Sequence, residues 1–127
     1  MSETKRYRNW REGDRVGAIY SIDHDKKEVH FFGFGIYGGE ERPTDDVFHL
    51  GFPVSSMAPE GYTNPKLVLD NGQIVYGCES WWGTEGKITS MIKDLEEQGY
   101  KIVDTLIQNL RQAALLEYQS RQSEGSP

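Results

Sequence analysis

Two adjacent tryptophans, Trp81 and Trp82, stand between a β-like run and a helical run, in the stretch Gly77-Cys-Glu-Ser-Trp-Trp-Gly-Thr-Glu-Gly-Lys87. An indole offers a flat face on which a nucleobase can stack for about 1–3 kcal/mol. The start of a helix offers unpaired N–H groups and a partial positive charge, which suit an anion. Gly83 and Gly86 would let a ligand approach the backbone, Thr84 is placed to cap the helix, and Lys87 adds a full positive charge. A flat, anionic ligand would therefore find stacking surface and anion donors at one bend of the chain. Phe34, in a Phe-Gly-Phe-Gly run, and Arg111, at the edge of the last helix, complete the candidate ligand-binding set. The competing reading makes the tryptophans core or subunit contacts, with only one of them facing a ligand, and makes Arg111 an exposed charge. The Gly83-Thr-Glu-Gly-Lys87 string is not a phosphate loop: its glycines are too close together, and Ile88 stands where a hydroxyl is needed.

No catalytic or metal set is visible in the sequence. His24 lies between Asp23 and Asp25, but the chain has three histidines in all and no matching ligand spacing. A hydrolase would have to draw on His30, His49, Asp70 or Glu79, with no visible arrangement of base and water. Neither a metal nor a cofactor is called for. A small nucleotide-processing hydrolase and a protein–protein interaction module stand as the alternatives to a binder.

The elements that would position the corner follow from local signals. Arg15–Ile22 and Glu28–Tyr37 read as strands joined by the polar turn 23–27. Strict alternation along the second puts Val29, Phe31, Gly33 and Gly35 on one face and His30, Phe32, Phe34 and Ile36 on the other. Its glycines make room for a bulge, a packed ring or a ligand. Residues 40–64 are acidic and broken by Pro43, Pro53 and Pro59, with a short strand or packed loop at Val47–Phe52. Lys66–Leu69 and Gln73–Cys78 form a hairpin around Asp70-Asn71-Gly72. Ile88, Met91, Ile92 and Leu95 mark one face of a helix from Thr84 to Gln98, stopped at Gly99. Tyr100–Val103 reads as an edge strand or an extended link. Asp104 is placed to cap a last helix to about Arg121, with Leu106, Ile107, Leu110, Ala113, Ala114 and Tyr118 inside. Leu115 and Leu116 widen that stripe beyond one sheet's need, which suggests a second copy as partner.

The fold expected is α+β: an antiparallel β-sheet core over about residues 15–80, followed by two C-terminal helices. The chain divides into a flexible arm (1–14), one domain (15–121) and a disordered tail (122–127). A net charge of −6 argues against a grip on duplex nucleic acid, whose phosphates need cations. One cysteine precludes an internal disulfide and fits a reducing cytoplasm, and no apolar run is long enough for a membrane helix.

Four stretches carry a family resemblance: Arg15-Val-Gly-Ala-Ile, Phe32-Gly-Phe-Gly-Ile-Tyr-Gly-Gly, Asn64-Pro-Lys with Leu69-Asp-Asn-Gly, and Gly77-Cys-Glu-Ser-Trp-Trp-Gly. Over roughly residues 15–98 the chain resembles the phage-encoded Thoeris anti-defence proteins of the first type. The resemblance implies a sponge that sequesters cyclic ADP-ribose isomers made by a bacterial immune enzyme, without cleaving them. Some members also hold cyclic oligonucleotides at separate sites. It further implies a homodimer or higher homo-oligomer, in which C-terminal helices of one copy complete pockets on the next. An aromatic ring stacks on adenine and an arginine holds phosphate. By position in the pattern, Trp81 or Trp82 matches that ring and Arg111 that arginine.

Overall fold

The computed structural model describes residues 9–124. Strands β1 (Arg15–Asp23), β2 (Glu28–Glu41), β5 (Asn64–Leu69), β6 (Ile74–Tyr76) and β7 (Trp81–Thr84) form one antiparallel sheet in the order β6-β5-β2-β1-β7. A further strand, β8 (Lys101–Asp104), runs parallel to the first half of β2. Helix α2 (Glu85–Glu97) covers one face of the sheet and α3 (Ile107–Glu124) packs on the other. The α+β expectation holds, with two additions to the sheet. The core does not stop near residue 80 but takes in β7, and β8 gives it one parallel pair.

Strand β2 spans the whole sheet, and its glycines explain how. Ala18 pairs with Gly33 and Ile19 with Phe31, so Phe32 is an extra residue and the strand bulges there. Gly33 carries the required positive φ of 139°. The bulge overturns strict alternation. Phe31 and Phe34 turn together to the α2 face, with Ile19, Val29 and Ile88, while Phe32 joins Val16, Ala18 and Leu67 on the α3 face. Gly35 answers a different need. A Cβ there would lie 2.2 Å from the carbonyl oxygen of Val68 on β5, so only a bare backbone lets the strands approach.

Both long helices are fixed at their ends by identifiable groups. Thr84 Oγ1 accepts the Lys87 N–H at 3.2 Å, the cap anticipated from sequence. Ile88, Met91, Ile92 and Leu95 face the sheet, and Gly99 closes the helix at φ 94°. Helix α3 begins later than its sequence suggested. Asp104 ends β8, and the first helical N–H, that of Ile107, is taken at 2.6 Å by Gln73 Oε1 from the β5–β6 turn. Its inner stripe is accordingly Ile107, Leu110, Arg111, Ala114 and Tyr118, while Leu106 and Ala113 lie outside. The helix runs to Glu124, beyond the start of the expected tail.

The segment between β2 and β5 holds a short hairpin, β3 (Phe48–His49) with β4 (Phe52–Pro53), and one helical turn, α1 (Val54–Met57). The rings of Phe48 and Phe52 pack edgewise on Tyr118 of α3, and Arg121 lies over Phe52 while donating to Gly51 O. Residues 9–14 are anchored rather than loose. Trp10 packs on Tyr37 and Trp82, and Gly13 N–H donates to Tyr37 O at 2.8 Å. The rest of the expected arm, with Lys5, Arg6, Tyr7 and Arg8, lies outside the described residues, as do residues 125–127. No helix among the described residues is long and apolar enough to cross a membrane.

Candidate functional site

After β6 the chain makes a 3-10 turn, Gly77–Glu79, and enters β7. The tryptophans are therefore strand residues, not a direct strand-to-helix joint. Strand β7 pairs with β1 from Val16↔Thr84 to Ile19↔Trp81. Neighbouring strand residues point to opposite faces, so the two indoles part company. Trp82 sits opposite Ala18 on the α3 side, and Trp81 sits opposite Ile19 on the α2 side.

Trp82 is occupied by the fold. Its ring lies 4.9 Å from that of Trp10 and, nearly parallel at 6°, 6.1 Å from that of Tyr37. Its Nε1 approaches Gly77, where a Cβ would stand only 2.9 Å away. Trp81, by contrast, is an edge-strand indole left 57% exposed. Apolar rings of this size are normally buried, so an indole open to solvent is informative. Of the sequence-derived pair, one ring is structural and the other is available.

Helix α2 starts directly after that strand. Gly83 and the exposed Lys87 lie together, the Lys87 stem running 3.9 Å from where a Gly83 Cβ would be. Gly86 faces open space. Thr84 satisfies one of the early amides. Arg15 reaches the same region and is shared by Asp70, at 2.7 and 3.0 Å, and Glu85, at 3.1 Å. Those two carboxylates hold the Arg15 guanidinium protonated beyond its ordinary range. Lys87 brings the helix start a cation outside that network.

Phe34 and Arg111 belong to the scaffold behind this corner. Phe34 packs at 4.9 Å from Phe31 and against the bare backbone of Gly17, beneath α2. Arg111 is neither an exposed charge nor a free edge residue. It follows Ile107 by one helical turn, so it points inward, and it is only 8% exposed. Its Nε and Nη2 donate to Glu79 at 2.8 Å each, its Nη2 donates to Ile74 O at 3.0 Å, and Asp46 lies 3.4 Å from Nη1. The Glu79 side chain is itself 4% exposed and also accepts the Tyr76 N–H at 2.9 Å. Burial pulls the Arg111 pKa down, but the Glu79 hydrogen bonds and charge more than offset it, and the net shift is upward. One side chain thus ties α3 to β6, to the 3-10 turn and to the loop before β3.

The groups that a hydrolytic reading would recruit are held separately. His30 pairs with Glu28 at 3.3 Å, His49 Nδ1 donates to Cys78 O at 3.1 Å, Asp70 serves Arg15 and Glu79 serves Arg111. His24, flanked by aspartates, shares a 2.7 Å hydrogen bond with Tyr100.

Sequence reasoning missed the clefts around α3. One of about 250 Å³ lies between α3 and the β3–β4 hairpin, walled by Tyr20, His49, Cys78, Leu110 and Ala114. Another, of about 510 Å³, lies between α3 and the β5–β6 hairpin, with Glu41, Lys66, Tyr76 and Gln108 on its walls. An apolar groove of about 410 Å³ runs beneath the hairpin tip and α1. The signal available for the first two was the inward arginine on the apolar stripe of α3, since a cation there demands a buried partner and a loop brought in to supply it. Against protein-family models, curated proteins and solved structures, the chain finds no match.

Proposed function

We propose that this chain is a non-catalytic binder that sequesters a cyclic nucleotide signal of the cyclic ADP-ribose type, counteracting a bacterial anti-phage defence in the host cytoplasm. The observation that carries the reading is Trp81: an indole 57% exposed, on an edge strand that leads within three residues into a capped helix start. The base stacks on Trp81. The phosphates take the first amides of α2, the open backbone at Gly83 and Gly86, and Lys87. Trp82, Phe34 and Arg111 hold that platform from behind. A second copy closes the space above it with a C-terminal helix, for which the exposed Leu115 and Leu116 provide apolar surface. The separate engagement of His30, His49, Asp70 and Glu79 favours retention of the ligand over turnover. The resemblance in the Trp-Trp-Gly region points the same way.

A titration of the protein with a cyclic ADP-ribose isomer, followed by calorimetry, tests the reading. Trp81→Ala is expected to weaken binding by roughly 5- to 150-fold, the loss of one base–aromatic stack. Because the ring is exposed, the variant should melt with the parent. Equal affinity in parent and variant would overturn the placement, and absence of any heat of binding would overturn the ligand class.

A further inference from the structure

The inner stripe of α3 runs Ile107, Leu110, Arg111, Ala114 and Tyr118, and one position in it is small. Ala114 shares the walls of the cleft of about 250 Å³ with Gly51 of the β3–β4 hairpin and Cys78 of the 3-10 turn. Protein interiors are close-packed, so larger side chains at these three positions would take up the space. The fold holds it open instead. Phe48 packs on Tyr118 at 5.7 Å, Arg121 donates to Gly51 O, and His49 Nδ1 donates to Cys78 O at 3.1 Å. Arg111 grips Glu79 at the end of the turn. Each contact fixes the hairpin or the turn, so neither is free to settle onto α3.

The walls have a definite chemistry. The rings of Tyr20 and Phe48 both line the cleft. Tyr20 has one edge-on neighbour, Phe32 at 5.7 Å, and is 45% exposed, so its ring keeps open surface. Since His49 donates through Nδ1 to a carbonyl, Nε2 of the neutral ring carries a lone pair. Among the described residues nothing donates to it, and Tyr20 Oη is likewise unpaired. The only full charges on the walls are Arg111 and Glu79, which neutralise one another. Asp46 on Arg111 and Arg121 on Gly51 add one charge of each sign from outside. Burial keeps the Cys78 thiol protonated, so it adds no charge. The walls thus hold no unpaired cation for a phosphate and no unpaired carboxylate for an amine.

We propose that this cleft is a binding site for a small, flat, uncharged ring compound with a hydrogen-bond donor, the ring lying between Tyr20 and Phe48 and the donor meeting His49 Nε2. Drug-sized ligands occupy about 300–1,000 Å³, so a cleft just below that range suits one or two fused rings and excludes a nucleotide. The site lies on the α3 side of the sheet, whereas Trp81 stands on the α2 side, so the two are independent.

Indole, flat and neutral with a single N–H donor, is the probe, and benzoate, flat and anionic, is its comparator. Both are titrated into the full chain and followed by two-dimensional NMR of amides and methyl groups. Indole should saturate with a Kd of about 0.1–1 mM, the range of a fragment. It should shift Leu110, Ala114 and Cys78 and leave Trp81 unmoved. Benzoate should bind at least about tenfold more weakly. Ala114→Phe fills the cleft and should abolish the indole shifts. Tyr20→Leu, at a half-exposed position that keeps apolar contact with Phe32, should weaken indole about 2- to 10-fold, the worth of one aromatic pair. Trp81→Ala should change nothing, which separates this site from the proposed nucleotide corner. Indole that fails to saturate by about 10 mM, or that shifts residues away from the cleft, overturns the proposal. Parent affinity in Tyr20→Leu, or benzoate binding as tightly as indole, overturns it as well.

Discussion

Arg111→Ala is the perturbation most sharply specified by the geometry. It removes one half of a pair whose side chains are 9% and 4% exposed and leaves the buried Glu79 carboxylate without its cation. Breaking a buried ion pair from one side costs about 3–5 kcal/mol, chiefly the penalty of the stranded charge. Ile74 O loses a donor as well. At roughly 3–4 °C per kcal/mol for a chain of this size, the melting temperature should fall by about 10–20 °C. Urea unfolding, followed by circular dichroism, reads the same loss as a lower midpoint at unchanged slope. The paired variant Arg111→Met/Glu79→Leu separates charge from packing. It should recover most of the stability, because apolar residues of similar volume replace a buried ion pair at little cost. Recovery stays incomplete, since the Tyr76 amide loses its acceptor. A single variant within about 1 kcal/mol of the parent, or a double variant no better than the single, would refute the assignment of Arg111 to the scaffold.

Three further predictions follow from the same packing and charge. Gly35→Ala should cost about 3 kcal/mol or more, because its Cβ would meet backbone atoms of Val68 and Leu69 at 2.2 and 2.4 Å, and an unchanged urea midpoint would contradict this. Burial, with the Glu79 charge beside it, pushes the Cys78 thiol up to about 11, so reaction with a disulfide reagent at pH 8 should run about a hundredfold slower than for a free cysteine. A rate equal to that of free thiol would show the site to be open. Backbone N–H groups at Asp23, Lys66 at Glu41 and Arg15 at Asp70 hold these carboxyls below their ordinary values. The native state then binds fewer protons than the unfolded chain, so stability is full above about pH 5 and declines as the pH falls towards about 2. A melting temperature that stays flat over that range would contradict the sign.

Much of the scaffold was legible because its signals are local. The Asp70-Asn71-Gly72 turn, the Thr84 cap, the Ile88–Leu95 stripe and the Gly99 stop each reside within a few residues, and each is present. The misreadings share one cause, which is that the deciding partner is remote in sequence. Strand β7 has only four residues, and what makes it a strand is β1, more than sixty positions earlier. That pairing is also what separates Trp81 from Trp82. The alternation of β2 fails at Phe32, which is left without a partner where the register with β1 shifts. Arg111 looked like an edge charge because Glu79, its partner, lies on a turn 32 residues away. Asp104 looked like a cap because Gln73, which takes the Ile107 amide, comes from another hairpin. Within the candidate corner, the sequence could not say which indole the fold packs away and which it leaves exposed.

The central claim is that a cyclic nucleotide is held and not consumed. Mass spectrometry decides it most directly: a cyclic ADP-ribose isomer is incubated with the protein at one-tenth its concentration, the protein is then heated, and all small molecules are weighed. The account predicts one species of unchanged mass, with the protein-bound fraction saturating in proportion to protein and falling with Trp81→Ala. A linear or otherwise altered product exceeding the amount of protein would contradict it.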